Sequence, residues 1–117
     1  MTPIALRLES TLALRLREEV RARTAYATAT RVQGQTAVLL AQARAKCERV
    51  RAALASQRGA GRERTLLNAL QHQQAQCTAL GTRLAAVERE RTARRSDWID
   101  ARRRREALPS VAENCGG

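Results

Sequence analysis

Phenylalanine is absent from this chain of 117 residues, and tyrosine and tryptophan occur once each, as Tyr26 and Trp98. Aromatic rings supply much of the volume of a thick globular core, so a core of that kind is excluded. Proline occurs only as Pro3 and Pro109, and nothing between them forces a helix to break. No apolar run approaches the ~18 residues a membrane-spanning helix needs. The opening MTPIALRLES lacks a charged-then-apolar layout with a small-residue cleavage site. Glu9, Glu18 and Glu19 speak against a transit peptide. The chain reads as soluble, intracellular and cytoplasmic.

Catalytic and metal-binding sets are missing too. The single histidine, His72, falls on the outward side of a helical pattern in LQHQQAQC. Cys47, Cys77 and Cys115 are too dispersed for a CxxC site, and His72 and Cys77 do not share a helix face. The GAG of residues 59–61 has neither the Lys-Ser/Thr nor the preceding strand of a phosphate loop. No enzyme, cofactor or metal site is expected.

What remains is alanine, leucine, arginine, glutamine and glutamate, the composition of long helices. Thr2 and Pro3 suit an N-cap and a first helical position. The pattern predicts a helical hairpin over residues 1–108, with one helix over 4–57, a glycine loop at 58–61 and a second helix over 62–108. Gly59 suits a left-handed C-terminal cap, and Pro109 stops the second helix. Residues 109–117, PSVAENCGG, have nothing to pack against and read as a disordered tail. Each arm would be about 70–80 Å long at 1.5 Å per residue, and two near-equal arms on a short loop must run antiparallel.

Steps of three and four residues mark the shared seam. On the second arm they pick out Leu66, Leu70, Gln73, Cys77, Leu80, Leu84, Val87, Arg91, Arg94, Trp98, Ala101, Arg105 and Leu108. Back from the loop on the first arm they give Leu54, Val50, Cys47, Ala43, Leu40, Thr36, Gln33, Ala29, Tyr26 and Ala22. Leu8, Leu12, Leu16 and Val20 then follow steps of four, which reads as a stutter. A turn centred on Ala60 sets Leu54 by Leu66, Val50 by Leu70, Leu40 by Leu80 and Thr36 by Leu84. It puts Tyr26 near Arg94, Ala22 near the core-filling Trp98, and Cys47 and Cys77 in adjacent layers, where oxidation could bridge them. The fold class is therefore all-α, a long antiparallel two-helix coiled-coil hairpin. Its loop half, rich in Leu and Val, should hold, and its terminal half should be loose.

The net charge is +11, from 22 basic and 11 acidic residues. A base-composition bias of the genome would raise arginine everywhere, but the excess is uneven. Residues 89–105 hold eight arginines against Glu90, Asp97 and Asp100. Spacings of four give Glu90 to Arg94, Asp100 to Arg104 and Glu19 to Arg23 as local ion pairs. The candidate partner-binding residues are Arg102, Arg103, Arg104 and Arg105, with Arg91, Arg94 and Trp98 behind them. Two aromatics are too few for a single-strand stacking platform, and the basic stretch follows the heptads instead of preceding them as in a basic zipper. Nucleic-acid binding is the alternative reading, and a self-associating coiled-coil adaptor is the third. The apolar stripe is too narrow for an interfacial membrane helix.

The hairpin over residues 4–108, with Trp98, the ARRRREAL segment and Leu108 closing its second helix, resembles the FliJ/YscO-type proteins of flagellar and virulence type III secretion systems. The resemblance implies a two-helix central stalk like that of a rotary ATP synthase, with no catalysis of its own. It implies binding in the pore of the hexameric export ATPase by the open end of the hairpin, contact with the export gate and, in some members, with substrate chaperones. It also implies a place at the cytoplasmic face of a secretion apparatus. This chain is on the short side for the family, and its last residues match no part of it.

Overall fold

A computed structural model of the chain describes residues 3–56 and 59–108; the expected N-cap Thr2 and the 109–117 tail lie outside the described residues. Helix α1 spans Pro3–Ser56 and α2 spans Ala60–Glu106, with no strand among the described residues. The fold is an all-α helical hairpin. Pro3 takes the first helical position, where a missing N–H costs nothing. Gly59 has φ +121°, a conformation open to glycine and strained for other residues. Its carbonyl accepts the Glu63 N–H at 3.1 Å. Helix α2 thus starts at Ala60, two residues before the sequence pattern placed it, and Gly61 lies in its first turn. Glu63 in that turn and Arg103, Arg104 and Arg105 in the last one complement the helix dipole. Beyond Glu106, Leu108 donates to the Arg105 carbonyl at 3.2 Å, the tightened bond of a closing turn.

The chain divides into two compact units, one pairing residues up to Thr30 with those from Glu90, the other spanning Arg31–Arg89. In the second unit Thr36, Leu40, Ala43 and Cys47 are buried, with Leu66, Leu70, Gln73, Cys77, Leu80, Leu84 and Val87 half-buried on α2. Thr36 tolerates its seam place because its hydroxyl donates to the Val32 carbonyl at 2.8 Å. Among the described residues of the first unit only alanines are buried: Ala5, Ala29 and Ala101. Small residues there let the backbones approach while larger neighbours stay half-covered.

The start of α1 departs from the expected stutter. Leu8 and Leu12 are half-buried, but Leu16 is 43% exposed and Val20 53% exposed. The inward positions are Ala5, Leu8, Leu12, Arg15, Glu19, Ala22, Tyr26 and Ala29, which keep the three-four alternation unbroken. Two charged residues hold seam places, and the leucines beside them face outward.

The pairing register also differs. Cys47 meets Cys77 with Sγ atoms 3.6 Å apart, Tyr26 meets Trp98, and Glu19 meets Arg105. Each partner on α2 lies four residues beyond the one counted from a turn at Ala60. Helical side chains lean toward their own N terminus, by about one residue each. In an antiparallel pair the two leans add, which accounts for about half of the offset. In the Cys47–Cys77 unit the remainder equals an effective turn centre at Gly61 instead of Ala60.

Candidate partner-binding groove

In the terminal unit the seam is built from polar and aromatic side chains. Tyr26 and Trp98 stack with ring centroids 5.6 Å apart and planes inclined by 25°. Arg91 donates from Nη2 to the Tyr26 hydroxyl at 2.9 Å and from Nε to the Thr30 hydroxyl at 3.1 Å. The Thr30 hydroxyl in turn donates to the Tyr26 carbonyl at 3.0 Å. The Arg91 guanidinium carbon lies 5.3 Å from the Tyr26 ring centre, within cation–π range. An arginine at a leucine position is thereby satisfied by a network that also fixes the aromatic pair. The buried Trp98 Nε1–H finds no acceptor among the described residues.

Glu19 and Arg105 form an ion pair across the helices, with the Glu19 side chain 18% exposed. This hydrogen bond is the main cause that holds the Arg105 pKa above its ordinary value. Arg94 is held by Glu90 at 3.1 Å and Asp97 at 3.0 Å, with its Nε–H turned off the line of a hydrogen bond to Glu90. Arg102 pairs with Glu106 at 2.9 Å. Of the ion pairs expected from spacing, Glu90–Arg94 forms. Glu19 instead turns from Arg23 to Arg105, because its seam position faces α2. Arg104 pairs with no acid among the described residues, Asp100 included.

Leu16, Val20 and Trp98 floor a groove of about 400 Å³ in this unit, with Glu19 in its wall and Arg23, Arg102 and Arg105 around it. Helical spacing splits the arginine run. Residues three apart share a face, so Arg102 and Arg105 reach the groove while Arg103 and Arg104 project elsewhere, exposed and without an ion pair among the described residues. Arg91 and Arg94 serve the seam. The arginines and Trp98 were visible in the sequence; the opposing Leu16, Val20 and Arg23 were not. Their signal would have been the unbroken heptad, which leaves Leu16 and Val20 as unspent apolar surface.

Cys47 and Cys77 are free thiols in the other unit. Burial, with the neighbouring Cys77 thiol as the next cause, pushes the Cys47 pKa up. His72 is exposed. Among the described residues no cluster of His, Cys, Asp and Glu could hold a metal ion, and no helix is long and apolar enough to cross a membrane. No family model, curated protein or solved structure matches the chain.

Proposed function

We propose that this chain is a non-enzymatic coupling component of a type III protein export apparatus, a stalk that binds the hexameric export ATPase through the terminal unit of its hairpin. The export gate and substrate chaperones are further partners of the same reading. The observation that carries it is the arginine-bordered apolar groove over Leu16, Val20 and Trp98. Its floor would take aliphatic side chains, and its guanidinium groups suit the carboxylates of a protein collar. Nucleic acid is served less well, since an apolar floor gives phosphates nothing and Glu19, Glu90, Asp97 and Glu106 intersperse the cations.

The test is binding to a hexameric type III export ATPase by sedimentation or surface plasmon resonance. Arg23→Glu with Arg102→Glu should weaken binding by tenfold or more at unchanged helicity, since both residues are exposed and Arg105 keeps its Glu19 contact. Reversing Arg102 to Arg105 together should abolish it. Binding that survives the four reversals removes the assignment. Tight, salt-sensitive capture of duplex DNA by the same protein would favour the nucleic-acid reading instead.

A further inference from the structure

The unit spanning Arg31–Arg89 carries an apolar surface that its own seam does not use. Val38 and Leu39 are 56% and 47% exposed, lying between the buried Thr36 and Leu40 on α1. One turn before Val38 stands Gly34, and a Cβ built there meets nothing within 4 Å. The result is a notch lined by Arg31, Gly34, Gln35, Val38, Leu39 and Gln42. Through Leu39 and Gln42 it runs into a second depression of about 360 Å³ between the helices, floored by Ala43, Ala79 and Leu80 and edged by Lys46 and Gln76. From Arg31 to Lys46 the trough extends about 22 Å along α1, roughly four helical turns.

Its charge is of one sign. No Asp or Glu occurs in α1 between Val20 and Cys47, nor in α2 between Arg64 and Val87. Arg31, Arg44, Lys46 and Arg83 therefore stand in this stretch without an ion pair among the described residues, whereas Arg15, Arg51, Arg94, Arg102 and Arg105 each have one. An apolar stripe edged by uncompensated cations complements a helix with an apolar face and acidic borders. A second copy docked by the same face would set these cations against each other. A nucleic-acid backbone would leave Val38 and Leu39 uncovered.

We propose that the trough over Gly34, Val38 and Leu39 is a docking site for an acidic amphipathic helix of a partner protein. Aliphatic anchors of that helix seat against Val38, Leu39 and Leu80, with one entering the notch at Gly34. Its carboxylates pair with Arg31 and Lys46. The site is separate from the terminal groove and stands whether or not the stalk reading holds.

The probe is a synthetic, fluorescently labelled acidic peptide of about 18 residues, long enough to fill the trough. Leucines occupy one helical face and glutamates the rest; the control has the same composition with the leucines scattered. The patterned peptide should bind the full chain saturably, perturb amides of residues 31–46, and outbind the scattered one by at least tenfold. Gly34→Leu fills the notch without touching the seam, and a glycine replaced in a helix interior favours the helix, so this variant should melt no lower yet bind the peptide at least tenfold more weakly. Val38→Ser with Leu39→Ser should also bind it at least tenfold more weakly at unchanged helicity, and Arg31→Gln with Lys46→Gln should flatten the salt dependence. Equal binding of the two peptides, or affinity unmoved by Gly34→Leu and the serine pair, overturns the proposal. So does a dimer in sedimentation that the serine pair dissolves, because the occupant would then be a second copy.

Discussion

Tyr26 is where the polar seam of the terminal unit converges: Trp98 stacks on it, Arg91 bonds its hydroxyl, and Thr30 bonds its carbonyl. Counting from the turn gave Trp98 to Ala22, a small residue that would merely leave room for it. The difference matters because an aromatic stack adds about 0.5–1.5 kcal/mol beyond the area it covers. Tyr26 is half-buried, so Tyr26→Ala should cost about 2 kcal/mol, below the ~3–5 kcal/mol of a fully buried aromatic. It should also move the emission of the only tryptophan to the red, while Ala22→Ser leaves that emission near its original wavelength. Urea titration followed by fluorescence checks both; the reverse pattern would restore the register counted from Ala60. At this scale the sequence displayed residue types but not partners. Glu19 has Arg23 four residues ahead, and only the facing of a seam position gives it to Arg105.

The helices show why hydrophobic spacing succeeded on α2 and misled at the start of α1. On α2 every residue picked by three-four steps, from Leu66 to Arg105, is half-buried or buried, including the arginines. On α1 the run Leu8, Leu12, Leu16 and Val20 draws the eye along steps of four, but apolar residues exist on more than one face there. A helix pair has one line of contact, and continuing the alternation through Arg15 and Glu19 costs less than shifting the phase of a well-packed seam. Arg15 is supported by Glu18 at 3.0 Å, and Glu19 by Arg105, so neither charge is left bare. Leu12→Ala should therefore destabilise the protein by about 1–2 kcal/mol, a fraction of the loss for a fully buried leucine. Leu16→Ala should stay within about 0.5 kcal/mol, as exposed substitutions do. Thermal or urea melts separate the two, and equal losses would mean that the phase does shift. The turn was legible because a positive φ, here at Gly59, favours glycine. The offset was not, because it arises from the lean of side chains and leaves no mark in composition.

Across the whole molecule, charge and apolar exposure are sorted together. The terminal unit holds most of the carboxylates and uses several to order arginines, leaving a groove bordered by Arg23, Arg102 and Arg105. The Arg31–Arg89 unit has few acids, and its outer face offers Val38 and Leu39 beside bare cations. Helix composition and the uneven charge made the hairpin and its basic end readable from sequence. The two surfaces could not be read, since each combines residues of both helices or depends on which leucines the seam leaves out. Both surfaces presuppose that the two helices of one chain lie side by side in the observed register.

Cys47 and Cys77 report on that directly, because closing 3.6 Å to the ~2.05 Å of a disulfide needs only a small adjustment, and the bond would constrain the unfolded chain by about 3–4 kcal/mol. With Cys115→Ser in place, glutathione disulfide should exchange with one thiolate and the second should displace glutathione, slowly at neutral pH since burial keeps Cys47 protonated. Intact-mass measurement and a non-reducing gel should then give a monomer lighter by two hydrogen atoms, with both thiols blocked to alkylation. A disulfide-linked dimer, or thiols that stay reactive under these conditions, would contradict the hairpin and its register.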